Sequence, residues 1–250
     1  FDLGLSALLD AEEISAFPYI KASVDVVPEK FSIIGGWQKE VVKNNFRNLA
    51  TANPFLTNRL AFNNTKKEKR YIGLQAALGK YASLNVKVGQ HLAANQPYFV
   101  NLTNDPKQFE VVYDSLLTTI STQVGVASTF SKDIITGINL IYNSYTPTSE
   151  LEAWHMPTLN LHFYATYRAI DKLDVSANIF ALNGLNAKLG DGAVQEMDGV
   201  IDVNLAARYE LLENVSLFCN VNNLGSVKFQ RYLHYPSYGL NLIGGFMVRF

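Results

Sequence analysis

The chain has 250 residues, a mass of 27.8 kDa and a formal net charge of −1, from 21 Lys and Arg against 22 Asp and Glu. This balance excludes a typical nucleic-acid binder, which needs an excess of basic residues to neutralise phosphates. The single cysteine excludes a disulfide framework and a cysteine-rich zinc site, and no apolar run reaches the roughly 18 residues of a transmembrane helix.

Twelve segments alternate apolar and polar residues with a period of two, which is the pattern of β-strands. From Ile201 to Leu211, for example, the odd positions are apolar and the even positions are Asp, Asn, Ala, Arg and Glu. None of these segments shows the three- and four-residue apolar spacing of an amphipathic helix. The predicted strands are 1–9, 18–27, 31–43, 69–79, 82–93, 117–130, 134–145, 158–169, 173–183, 200–211, 215–223 and 238–250.

The connections between these strands are alternately short and long. Short turns are predicted at 28–30, 79–81, 131–133, 171–172 and 213–214, and long loops at 10–17, 44–68, 94–116, 146–157, 184–199 and 224–237. Short periplasmic turns and long outer loops are typical of a transmembrane β-barrel. We therefore predict an all-β, antiparallel up-and-down transmembrane barrel of about twelve strands. The first and last strands could pair antiparallel, and Phe109–Tyr113, which also alternates, is interpreted as a β-extension within an outer loop.

A soluble β-sandwich or barrel would also alternate, with its apolar set inside. Polar residues on the other face of all twelve strands and strand lengths near ten residues favour a membrane barrel instead. Tyr167 and Tyr209 beside short turns, and Tyr142 beside a long loop, resemble interfacial aromatic girdles. The sequence starts at Phe1 with neither a basic nor an apolar leader segment, so we interpret it as a mature chain or a fragment.

The last predicted strand has apolar residues at alternate positions from Tyr238 to Phe250. This pattern resembles the C-terminal β-signal of bacterial outer-membrane proteins. The resemblance implies that the barrel assembly machinery recognises Phe246, Val248 and Phe250. The alternative is an ordinary edge strand that ends in Phe.

The segment from Asn220 to Phe250 resembles the end of a TonB-dependent receptor barrel: an Asn-Leu turn leaves the penultimate strand, a loop with Tyr, Pro and Gly follows, and a short strand ends in Phe. Asn53-Pro54-Phe55-Leu56 resembles barrels of this type from Bacteroidota, whereas Gly225 departs from the usual Phe after the Asn-Leu pair. These receptors add an N-terminal plug to a barrel of about 22 strands, and nothing here resembles a plug. The resemblance implies one outer-membrane β-barrel domain over 1–250, either the C-terminal part of such a receptor or a smaller plugless relative.

Charged and imidazole side chains of both signs fall on the predicted lumen face. They form either a polar channel lining that contacts a solute or a network of paired charges that braces a narrow barrel. The ten candidates are Lys21, Asp25, Lys87, His91, His162, Arg168, Asp174, Asp202, Arg208 and Glu210.

No catalytic residue, metal ligand or cofactor is predicted. Outer-membrane barrels include phospholipases that use a Ser/His pair oriented by an Asn, but no His here stands in such a motif. We interpret His155 and His234, in the outer loops, as solvated. The acidic segment 189–198 lacks the spacing of a calcium loop.

The expected location is the bacterial outer membrane, and the expected partners are its lipid and lipopolysaccharide, the barrel assembly machinery, and other outer-membrane or surface proteins that contact loops 44–68, 94–116 and 184–199. Basic residues in or beside loop 44–68 either meet lipopolysaccharide phosphates or a partner, or are simply solvated. They are Lys43, Arg47, Arg59, Lys66, Lys67, Lys69 and Arg70. The favoured function is receptor-like or porin-like solute transport. The alternatives are a non-transporting subunit or scaffold of an outer-membrane complex, and a lipid hydrolase.

Overall fold

The structure, a computed structural model, describes residues 1–9, 14–58 and 60–249. Its elements in chain order are β1 (Asp2–Leu9), β2 (Ile14–Val27), β3 (Phe31–Val42), α1 (Phe46–Ala52), β4 (Thr65–Leu78), β5 (Ala82–Asn101), β6 (Phe109–Ser131), β7 (Ile134–Thr146), β8 (Leu159–Ile170), β9 (Leu173–Asn183), β10 (Leu185–Lys188), β11 (Val194–Met197), β12 (Val200–Leu212), β13 (Val215–Asn222), β14 (Gln230–Tyr232), β15 (Tyr235–Pro236) and β16 (Asn241–Val248). Among the described residues, no helix is sufficiently long and apolar to span a membrane.

Twelve strands form one antiparallel sheet in which each strand pairs with the next one along the chain. The order runs from β1 to β9 and then through β12, β13 and β16. The hairpins β10–β11 and β14–β15 lie in long connections and form two small sheets of their own. This meander confirms the predicted all-β, up-and-down antiparallel fold.

The sheet is open. Within the described part of the chain, β1 pairs with β2 alone and β16 with β13 alone. The expected pairing of the first and last strands is therefore wrong, because the curvature of the sheet does not bring its two edges together. Each edge presents unpaired backbone donors and acceptors, which are costly in hydrocarbon unless another strand pairs with them.

The strands at the centre of the sheet extend further toward the long-loop end than predicted. β5 continues to Asn101 and β6 begins at Phe109, so most of the predicted loop 94–116 is a hairpin joined by residues 102–108. The predicted β-extension at Phe109–Tyr113 is the start of β6, and it keeps the up-and-down order because it pairs with the extension of β5.

Two other predicted loops also contain regular structure. Loop 44–68 includes α1 and the start of β4, and loop 184–199 includes the β10–β11 hairpin. Helix α1 has seven residues, too few for an apolar period to reveal it, and the side chain of Asn45 caps it by accepting the Asn48 N–H at 2.9 Å. The last strand spans 241–248 rather than 238–250, and Phe250 of the predicted assembly signal lies outside the described residues.

Most apolar side chains of the twelve strands share one face, which we call the outer face, and many of those that the structure describes are exposed. Ile72 is 65% exposed, Ile201 63% and Phe246 72%. A soluble sandwich would bury such residues against a second layer. Their exposure overturns the soluble alternative and agrees with an apolar face that lipid covers.

The buried apolar clusters lie at the long-loop end. In one cluster Trp154 and Tyr98 pack with Ala93 and Leu117 of β5 and β6. A second cluster brings cap loops onto β9 and β12, and its members are Leu182, Leu185, Ala187, Met197, Val200 and Leu233. Ala93 and Leu117 of the first cluster, and Leu182 and Val200 of the second, belong to the polar face, so the loops fold over that face, which we call the inner face. We call the loops 43–64, 102–108, 147–158, 184–199 and 223–240 together the cap.

Candidate functional site

All ten predicted lumen residues lie on the inner face, as the strand registers show. They fall into two zones. The first zone lies on β2 and β5, and its members are Lys21, Asp25, Lys87 and His91. The second lies on β8, β9 and β12, and its members are His162, Arg168, Asp174, Asp202, Arg208 and Glu210. Their role in solute passage stays a prediction.

The first zone is basic. Lys21, Lys87 and His91 line one cavity of about 250 Å³ together with Lys69 of β4. Lys69 belongs to the basic cluster predicted in or beside loop 44–68, but β4 already begins at Thr65. Strand alternation therefore divides that cluster: Lys67 and Lys69 face inward, whereas Lys66 and Arg70 face outward.

The cations of this zone lie against aromatic rings more than against carboxylates. The Nζ atom of Lys21 lies 4.9 Å from the ring centroid of Tyr19, and that of Lys87 lies 5.7 Å from that of Tyr71. Lys69 forms one exposed ion pair, at 3.5 Å, with Glu40. This zone of the inner face consequently keeps an excess of positive charge. Asp25, the acidic member of this zone, lies at its short-turn edge, where it accepts a 2.6 Å hydrogen bond from the Ser32 hydroxyl.

The second zone holds neighbouring charges of opposite sign. Arg168 donates to Asp174 at 3.1 Å, and Arg208 lies 3.8 Å from Glu210. These side chains are all more than a third exposed, so each pair contributes little to stability, at most about 1 kcal/mol. In this zone the paired arrangement favours the bracing interpretation over a free binding surface. Asp202 differs, because its buried Oδ1 has no hydrogen-bond partner in the described residues.

The described residues do not assemble the Ser/His pair of a hydrolase. The His162 Nε2 lies 3.4 Å from the Asn178 Oδ1, but no serine hydroxyl hydrogen-bonds to a His ring within the described ranges. The same part of the chain holds no group of three or more His, Cys, Asp or Glu residues arranged to bind a metal ion.

His155 lies at the centre of the cap and is 2% exposed. Its Nδ1 lies 3.0 Å from the carbonyl oxygen of Phe99, and its Nε2 lies 3.4 Å from the backbone N of Leu233. A neutral ring with the proton on Nδ1 satisfies both contacts. Burial lowers the pKa of His155 to about 4; the Phe99 hydrogen bond opposes this shift, and the nearby cation of Arg231 contributes to it. The interpretation of His155 as a solvated loop residue is therefore wrong.

Asp114 fastens another loop of the cap to β6. Its carboxylate is fully buried and accepts the N–H groups of Leu116, Thr148, Ser149 and Glu150 at 2.9 to 3.1 Å. Three of these donors belong to loop 147–158. The Asp114 carboxylate thus accepts hydrogen bonds from three backbone N–H groups of this loop, as the carbonyl groups of a neighbouring strand would do.

Glu150 continues the network toward the hairpin β10–β11. It accepts a hydrogen bond from Trp154 Nε1 at 2.8 Å and pairs with Lys188 at 2.7 Å. The Lys188 ammonium also lies 5.8 Å from the Trp154 ring centroid. Loops 147–158 and 184–199 are therefore held together by a partly buried ion pair over an indole.

Aromatic residues join two cap loops that are far apart along the sheet. The Tyr232 hydroxyl donates to the Ala52 carbonyl at 2.7 Å, and the Tyr235 ring stacks on Phe55 with centroids 3.3 Å apart. Tyr232 and Tyr235 lie between β13 and β16, whereas Ala52 and Phe55 lie between β3 and β4. The loop between β3 and β4 thus meets the loop between β13 and β16, so the cap crosses the long-loop end of the inner face.

These cap residues are not predicted from the sequence. Their positions follow no strand period, and the one signal was the presence of large apolar and aromatic side chains in segments predicted as solvated loops. Trp154, Leu185 and Leu233 are such residues, and all three are buried.

Solved structures with a similar fold are outer-membrane receptors of the TonB-dependent class. The copper transporter OprC superposes with a TM-score of 0.67 and 14% identity over 95% of this chain and 40% of its own. The ferric-catecholate import receptor Fiu from E. coli K12 gives 0.66 and 14% over 95% of this chain and 35% of its own. The pyoverdine receptor FpvA from Pseudomonas aeruginosa PAO1 gives 0.68 and 15% over 94% of this chain and 36% of its own. No protein-family model and no curated protein sequence matches the chain.

These similarities establish the fold class, an all-β antiparallel sheet like that of the receptor barrels. The chain spans 40% or less of the length of these receptors, so its open twelve-stranded sheet corresponds to one part of their structures. The shared fold and the exposed apolar outer face support the predicted location in the bacterial outer membrane.

Proposed function

We propose that the protein is a receptor-like outer-membrane barrel that takes part in moving solutes across the outer membrane. One observation carries this proposal: a continuous polar face is closed at its long-loop end by a packed cap, while the opposite face is apolar and exposed. A solute arriving from outside would meet the cap first and the inner face behind it.

The basic zone suggests the charge of that solute. Lys21, Lys69 and Lys87 surround one cavity on the inner face, and two of them lie against rings instead of carboxylates. A lumen wall with excess positive charge attracts anions and repels cations. We therefore propose that the protein favours anionic solutes.

Ion conductance of the protein reconstituted in planar bilayers tests this function. We expect a small conductance for the unaltered protein and a larger one for the Asp114→Ala variant, in which loop 147–158 is released. The reversal potential in a salt gradient should indicate anion preference, and Lys21→Gln with Lys87→Gln should reduce it. Arg168→Gln with Asp174→Asn, in the paired zone, is the matched control and should leave the preference unchanged. A closed trace for every variant would contradict transport.

The open edges of the sheet favour one alternative. β1 and β16 each lack a second partner in the described residues, and the cap offers folded loops for contact with other proteins. These features fit a non-transporting subunit of an outer-membrane complex. In that case the protein would purify with a stable partner and give no conductance.

A further inference from the structure

The outer face of β3, β4 and β5 changes character abruptly toward the long-loop end. Ile72 and Val88 stand opposite each other and are 65% and 45% exposed. Two residues further along β4 stands Arg70, with Trp37 opposite it on β3. Lys39, Glu68 and Lys66 follow in the next rows of the same face. We call these five residues, Trp37, Lys39, Lys66, Glu68 and Arg70, the outer collar.

The outer collar is built around Trp37 and one carboxylate. Glu68 accepts the Trp37 Nε1–H at 2.8 Å, pairs with Lys39 at 3.2 Å, and pairs with Arg70. The Lys39 ammonium and the Arg70 guanidinium lie 5.5 and 5.8 Å from Trp37 ring centroids. Two cationic side chains, Lys39 and Arg70, share the single carboxylate of Glu68, so the outer collar carries an excess of positive charge.

An apolar groove lies directly below the outer collar. It has a volume of about 660 Å³, and Trp37, Ile72, Val88 and Ile120 line it, with Arg70 at its polar end. The groove opens on the outer face, which is apolar and exposed. A cleft of this kind on a face that lipid covers accommodates an acyl chain, and the indole at its upper end is the side chain that prefers the membrane interface.

We propose that the outer collar and its groove bind a phosphorylated glycolipid of the outer leaflet, with phosphates on Lys39, Lys66 and Arg70 and an acyl chain between Ile72 and Ile120. The long-loop end faces outward in barrels of this kind, which selects the outer leaflet. Arg70 and Lys66 are four residues apart on one strand, roughly 13 Å. That distance is wide for one phosphate and suits a headgroup that carries more than one. Arginine and lysine are the side chains that bind phosphate most effectively.

Native mass spectrometry of the protein in detergent tests the proposal with lipid A and with its dephosphorylated form. We expect lipid A to stay bound to the unaltered protein and Lys39→Gln with Arg70→Gln to weaken it about tenfold. The matched control, Lys30→Gln with Lys132→Gln, removes two exposed cations at the short-turn end and should change nothing. Glu68→Gln removes the carboxylate that competes with phosphate, and it should strengthen binding.

Several outcomes would overturn the proposal. They are equal binding of the dephosphorylated lipid, equal retention of lipid A by the collar variant and the control, and a preference for phosphatidylglycerol over lipid A.

The heat-modifiable mobility of each variant on gels reports whether it is folded. The Glu68→Gln change guards against a purely structural explanation, because a change that only damaged the outer collar would not increase affinity. The proposal depends on the membrane location and not on transport, so it can fail or succeed independently of the conductance experiment.

Discussion

The Tyr71 ring lies over Gly36 on the neighbouring strand of the inner face. A Cβ atom at Gly36 would lie 2.5 Å from the Tyr71 ring, so no larger residue fits without moving it. Gly245 stands in the same relationship to Phe218, where a Cβ would lie 2.8 Å from the ring. Glycine in a strand commonly marks such a close approach, and here it lets bulky rings lie against the wall of the inner face.

Gly36→Val should therefore displace Tyr71 and destabilise the sheet by about 1–3 kcal/mol. Gly35→Ala is the control, because a Cβ there would lie 3.6 Å from the nearest atom, the Tyr71 carbonyl oxygen. Urea unfolding in detergent, followed by tryptophan fluorescence, measures the difference. Equal midpoints for both variants would show that the ring does not depend on the glycine.

Asp114→Ala should release loop 147–158 from β6. The substitution leaves three loop N–H groups without their buried acceptor, and we expect a loss of about 2–4 kcal/mol in the local stability of the cap. Limited proteolysis should cleave the loop faster in this variant. Glu110→Ala, at an exposed position of the same strand, should retain the slow cleavage; equally fast cleavage of this control would contradict a specific role for Asp114.

The cap should loosen in acid because His155 is buried as a neutral ring. Its pKa in the folded protein, about 4, lies below the value near 6.5 of an unfolded chain. The stability that this neutral ring contributes is therefore present above pH 6.5 and is lost as the pH falls from 6.5 to 4, by about 3 kcal/mol in total. Hydrogen exchange of the cap amides at pH 7.5 and pH 4.5, corrected for the intrinsic rates, measures this loss.

His155→Asn should reduce the pH dependence of cap exchange, since asparagine tolerates the positive φ of this position, 57°, and does not titrate. His234→Gln is the control, because His234 is exposed in the loop that contains Leu233. An unchanged pH profile in the His155 variant would assign the acid response to another group.

Phe246→Ser should lower the amount of protein assembled in the outer membrane several-fold. Phe246 is 72% exposed on the outer face of the last strand, where the resemblance to a β-signal places a recognition residue. Met247→Ser alters the neighbouring residue on the inner face and should assemble normally. Quantitative immunoblots of membrane fractions measure both variants. Equal levels of the two would leave the last strand without a signal role.

The period of the side chains alone determined the strands, their order and their two faces. Ile201 and Asp202 necessarily point to opposite sides of a strand, so a run of such pairs defines an apolar and a polar face without knowledge of any partner. The period does not determine where each strand begins and ends. β4 begins at Thr65 because backbone pairing with β3 and β5 continues through a stretch of lysines that looks like a loop.

Tertiary structure alone decided how the cap packs and which charges meet. His155 is buried inside the cap, whereas His234 is an exposed loop residue, although both are isolated histidines in long connections. Contacts such as that between Tyr232 and Ala52 join residues 180 positions apart, and no local pattern encodes them. The open edges of the sheet also follow from no local sequence pattern. Closure of a sheet depends on the summed curvature of its twelve strands, whereas side-chain alternation indicates only which side of a strand each residue faces.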